Sequence, residues 1–270
     1  MQFINQALDW IVSMLLWPFS SLPPVWGLVA ISVVMGVLLL LVYGKVSNQK
    51  AIKDAKRKIY ANLLESVLFR RDIRTSLKAQ ARMFLQGGRY FALAVPPILI
   101  LAIPCVLVLA QLNVRFGYQP LVPGKPAIVS LAIDQKKSVM AVTLGEDSAF
   151  EASPPVRVEG EGEVFWKISP KNAEKADLKI SIDQQVLQAP LAVGVKPGPI
   201  YAEVHDSWWM QLLYPTPPEM AVPASLSSLK VAYQEHKYNF LGLHLHWLIV
   251  FLLVSIVAGL VGSKLFGVEI

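Results

Sequence analysis

Three stretches of this 270-residue chain, 25–43, 90–112 and 241–263, contain no Asp, Glu, Lys or Arg. A helix rises 1.5 Å per residue, so about 20 residues cross the roughly 30 Å hydrocarbon core of a bilayer. Hydrocarbon offers no partner for a backbone N–H or C=O, and a helix satisfies both internally. The runs therefore predict an integral membrane α-helical protein with three transmembrane helices at those positions. Charged residues make up 16% of the chain, against about 25% in a soluble domain.

The charges that do occur are concentrated. Segment 45–89 holds twelve basic and three acidic residues, a net +9, whereas only Asp9 precedes the first run. Basic loops stay in the cytoplasm. The expected topology has the N-terminus outside, 45–89 and the C-terminus inside, in the cell inner (plasma) membrane. No Lys or Arg precedes Lys45, so the N-terminus lacks the basic region of a cleavable signal. Residues 1–20 instead alternate a polar face (Gln2, Asn5, Gln6, Asp9, Ser13) with apolar residues, as an amphipathic helix in the membrane interface does.

Within 45–89, Ile52, Ala55, Ile59, Leu63 and Val67 recur at helical spacing, and Ile73, Leu77, Ala81 and Phe84 form a second stripe behind Asp72, a candidate N-cap. The reading is a basic helical hairpin, or kinked coiled coil, ended by Gly87-Gly88. Its seam faces either its own partner helix or another protein. Lys53, Lys56, Arg57, Arg70, Arg71, Arg74, Lys78, Arg82 and Arg89 form its cationic face. That face suits anionic headgroups, at about 1 kcal/mol per residue, or an acidic partner such as ribosomal RNA.

Segment 113–204 changes to short alternating β-prone runs between Pro and Gly, at 127–133, 138–144, 156–159, 163–168, 177–182 and 191–195. This predicts an inserted all-β, immunoglobulin-like extracytoplasmic domain with Trp166 in its core. Segment 205–240 is an aromatic, Pro-rich connection with a last strand at 229–233. Its Trp208, Trp209 and Tyr214 are candidates for an outer interface anchor. The lone Cys105 excludes an intrachain disulfide.

No catalytic, cofactor or metal set stands out. P-loop, G-x-S-x-G and H-E-x-x-H patterns are absent. His244 and His246, placed on a helix, would point about 200° apart and share no ion. The spans contain small residues at helical spacing, Ser32 and Gly36 in the first and Ser255, Gly259 and Ser263 in the third. Such faces let helices approach closely. Pro96, Pro97 and Pro104 are expected to kink the second span.

The stretch LKAQARMFLQGGRY, 77–90, with a basic helical pair between an N-out span and a second span, resembles the YidC/Oxa-type insertase superfamily. It is most similar to the short members related to the insertase subunit of the ER membrane complex. The resemblance covers about 20–112 and 241–266. It implies a non-enzymatic factor that eases transmembrane segments into the bilayer, with lipid, other membrane or envelope proteins, and nascent membrane proteins or the ribosome as partners, and no DNA. The alternatives are a structural or partner-binding subunit of an envelope complex acting through its β domain, and a cofactor-bearing subunit of a membrane enzyme.

Overall fold

The computed structural model describes residues 2–20, 22–69, 71–133, 142–145, 147–158, 162–171, 176–182, 185–194, 198–217, 220, 222–223 and 226–269. The helices are α1 (Gln2–Leu16), α2 (Pro24–Val46), α3 (Gln49–Leu68), α4 (Ile73–Phe116), α5 (Met210–Leu213) and α6 (Trp247–Phe266). Three of them, α2, α4 and α6, are long and apolar enough to cross a membrane. The strands are β1 (Tyr118–Gln119), β2 (Ala127–Ile133), β3 (Val142–Leu144), β4 (Phe150–Ala152), β5 (Val156–Val158), β6 (Glu163–Pro170) and β7 (Ala176–Ile182). They continue with β8 (Gln185–Leu191), β9 (Glu203–His205), β10 (Leu226–Val231), β11 (Gln234–Glu235), β12 (Lys237–Phe240) and β13 (Leu243–His246). The chain divides into two compact units, Met1–Leu28 with Val106–Ile249, and Val29–Cys105 with Val250–Ile270.

The first unit is β-rich. One antiparallel sheet runs β4-β6-β2-β10-β9, with β5 also on β6, and a second runs β3-β7-β8. Alternation turns Val129 and Leu131 of β2, Trp166 and Ile168 of β6, Leu178 and Ile180 of β7 and Leu187 of β8 into one shared core. Register places Trp166 opposite Val129 and Leu187 opposite Ile180. The expected strand at 191–195 is instead β8, which ends at Leu191. It contains Pro190, whose missing N–H is tolerated because β8 lies at the edge of its sheet. Of the run at 138–144 only β3 falls within the described residues, and Glu159 and Val195 fall outside them.

The second unit holds the spans and the basic hairpin. The pair Gly87-Gly88 does not end a helix, since α4 runs unbroken for 44 residues and also contains Pro96, Pro97 and Pro104. A mid-helix glycine costs only about 1 kcal/mol, which a long apolar helix overcomes. Its length is about 66 Å at 1.5 Å per residue. In α2 the side of Gly36 lies against the backbone of Ser255 in α6. A Cβ added there would sit 3.0 Å from the Ser255 Cα. Glycine is therefore what lets these two helices touch. Gly259 has the Gly36 carbonyl oxygen 3.8 Å from its own Cβ position, a normal contact. Ser32 is fully buried, Ser263 is half-buried, and Leu260 is exposed.

The third span starts later than the uncharged run. Residues 241–246 are not helical, because Leu241 and Gly242, at φ 53° and 81°, make a tight turn joining β12 to β13. His244 and His246 thus lie on a strand, where positions i and i+2 share a face. The helical argument against their joint ligation does not apply. Among the described residues no group of three His, Cys, Asp or Glu could hold a metal.

Candidate interaction surface on the basic hairpin

Two caps start the hairpin helices. The Asn48 side chain accepts the Ala51 N–H at 3.1 Å at the start of α3. Asp72 accepts from the N–H groups of Arg74 and Thr75 and, at 2.7 Å, from the Thr75 hydroxyl. The Thr75 hydrogen bonds hold the Asp72 carboxyl below its ordinary pKa.

The apolar stripes of α3 and α4 do not meet as a coiled-coil seam. Only the base of α3 points inward, with Ile52 and Ala55 buried and Ile59 half-buried. Further out, the closing contacts are polar. The Ser66 and Ser76 hydroxyls lie 3.2 Å apart, Gln80 donates to Ser66 at 3.4 Å, and Arg82 meets Glu65 at 3.0 Å. Ala79 of α4 is fully buried. The large apolar residues point away. Leu64 is 61% exposed, Leu68 76%, Ile73 73%, Leu77 59% and Phe84 75%. This half of the hairpin has a polar inside and an apolar outside.

That outer face has a direction. At 100° per residue, Ile73, Leu77, Phe84, Phe91, Val95 and Ile98 of α4 fall within about 60° of one another, and all six are exposed. One apolar stripe thus leaves the hairpin and continues onto the apolar span portion of the same helix. Cations flank it. Arg71, Arg74 and Lys78 are exposed near the tip, and Arg57 and Arg89 are exposed nearer the base. Arg82 is engaged by Glu65. Lys53 and Lys56 are engaged at the base by Glu269, at 3.4 and 3.5 Å, and Lys56 lies over the Tyr90 ring. Arg70 lies outside the described residues.

In the β-rich unit, α1 is inverted in the same sense. Its polar face turns toward protein: Asn5 donates to the Gln211 carbonyl at 2.9 Å, and Arg115 contacts Asp9 at 2.5 Å and Ser13 at 2.6 Å. Much of its apolar surface is outward, with Trp10 66% and Met14 65% exposed, although Val12 is buried, and Trp17 just beyond its end is 77% exposed. Trp208 and Trp209 are also exposed, whereas Tyr214 is half-buried with its ring 4.9 Å from that of His205. The anchor candidates therefore separate, two outward and one packed.

Two contributors escaped the sequence reading. Arg115 follows the uncharged run and falls in the segment with β-prone runs, although the i, i+4 spacing of Asp9 and Ser13 offers it two partners. Glu269 sits beyond the last span, and nothing local marks it. No protein-family model, curated protein or solved structure matches the chain.

Proposed function

We propose that the chain is a multi-pass protein of the inner (plasma) membrane that acts without chemistry of its own, as an insertase-like factor in the insertion or assembly of membrane proteins. The N-terminus and the β region, an immunoglobulin-like sandwich in this reading, lie outside, and the basic hairpin and C-terminus lie in the cytoplasm. The supporting observation is the exposed stripe from Ile73 to Ile98, shared between hairpin and span. An apolar segment leaving water for lipid can follow such a face, which Gln80 alone interrupts with a polar side chain. The YidC/Oxa-type resemblance points the same way.

The reading is tested with a photo-reactive residue at Leu77 of the full chain. Adducts to several newly made membrane proteins are expected. Absence of such adducts would favour the alternative, a partner-binding subunit acting through its β region, to which the exposed valines of β5, Val156 and Val158, point. Topology has its own check. Cysteines at Ser66 and Ser148 should label from opposite sides of sealed vesicles.

A further inference from the structure

The β12–β13 hairpin is a two-faced ribbon. Lys237 pairs with His246 and Asn239 with His244, so polar residues share one face. Tyr238 pairs with Leu245 and Phe240 with Leu243, so apolar residues share the other. The base of the apolar face sits on the last residue of α4. The Tyr238 ring packs against Phe116 at 6.4 Å, and its hydroxyl donates to the Phe116 carbonyl at 3.2 Å.

Toward the tip the same face opens to the outside, starting from a half-buried Phe240. Leu243 is 61% exposed, and Leu241, at the turn, is 88% exposed. Both turn residues have positive φ, a two-residue hairpin geometry that favours Asn-Gly over Leu-Gly. A leucine at such a position serves neither the turn nor the core. The ribbon then joins α6 without a linker, because His246 ends β13 and Trp247 begins the helix. Four residues of strand extend about 13 Å, so the tip stays within reach of the interface that α6 enters.

We propose that this hairpin lies on the outer leaflet with its apolar face down, its tip of Phe240, Leu241 and Leu243 seated at the boundary between phospholipid headgroups and acyl chains. Lys237 and His244 face the headgroups and water. The orientation follows from Tyr238: the face that rests on the end of a span is the face that continues outward over lipid. This rests on the membrane reading above, and the test separates the two.

The full chain, with Cys105→Ser as background, is reconstituted into vesicles of phosphatidylcholine and phosphatidylglycerol. An environment-sensitive fluorophore is attached at Leu241→Cys, at Asn239→Cys on the polar face, or at Ile256→Cys in the apolar α6. Lipid-borne spin labels are placed either near the headgroup or deep in the acyl chain. The Leu241 probe should be quenched most by the shallow label, the Ile256 probe most by the deep one, and the Asn239 probe several-fold less than Leu241. Quenching at Ile256 without quenching at Leu241 overturns the inference and leaves the span standing. Loss of quenching at both overturns span and hairpin together. As a second variant, Leu241→Asn suits the turn and should preserve the melting temperature in detergent. It should also reduce several-fold the shallow quenching of a probe at Leu243→Cys. Unchanged quenching there would show that the leucine does not hold the tip in lipid.

Discussion

The β sandwich and the basic hairpin solve opposite problems with the same alphabet. In the sandwich, Val129, Trp166 and Ile180 face one another and the polar residues face out. In the distal hairpin, Ser66, Ser76 and Ala79 face inward while Leu64, Leu77 and Phe84 face out. The first is a structure complete in water, where burial of apolar area supplies the driving force. The second leaves a large apolar surface uncovered, which in a finished protein marks contact with lipid or with another chain. The contrast separates residues that hold the fold from residues available to a partner, and it predicts that substitutions in the two places fail differently.

The largest effect is expected in the sandwich core. Trp166→Ala should cost about 3–5 kcal/mol in denaturant unfolding of the β region, without altering adducts made from Leu77. Next comes the clasp on α1. Arg115→Ala leaves Asp9 and Ser13 without their cation, at about 2 kcal/mol, and should expose α1 to added protease while the sandwich still melts as before. At the helix contact, Gly36→Ala should lower the melting temperature in detergent by an amount equivalent to about 1–3 kcal/mol. Gly259→Ala should do less, because its Cβ position has room. In the hairpin, Phe84→Ser should change folding stability by no more than about 0.5 kcal/mol yet abolish the adducts made from position 77. A large loss of stability there would mean that the outward face is part of a core, and would break the comparison.

The smallest effect is a pH dependence. Burial lowers the pKa of His236 below its ordinary 6.5. The unfolded chain then takes up the proton first as pH falls, so this contribution is complete above 6.5 and declines below it. Unfolding midpoints at about pH 7.5 and about pH 5.5 should differ less in His236→Gln than in the parent.

Periodicity in the sequence located elements better than it oriented them. The alternation of 127–133 coincides with β2, and the uncharged runs lie within or across the three long helices. The stripe through Leu77 and Phe84 was equally plain, but a spacing of three and four says only that a face exists. What the face meets depends on whether the facing helix offers Leu or Ser at the same height, and α3 offers Ser66. Gly87-Gly88 misled because glycine ends a helix only when a turn competes with it. The uncharged run at 241–263 misled because hydropathy does not distinguish a ribbon from a helix, although Leu-Gly between Phe240 and Leu243 is hairpin spacing. Long-range partners such as Glu269 for Lys53 leave no trace in a local pattern.

The short pairing of β1 with β11 places Tyr118 opposite Glu235 and Gln119 opposite Gln234. Paired strands lie about 4.8 Å apart, so the chain enters and leaves the sandwich through one narrow gate. A module with adjacent ends can be cut out, replaced by a few residues, or exchanged for another domain without asking α4 or α6 to move. Its paired ends give the β region the joinery of a cassette.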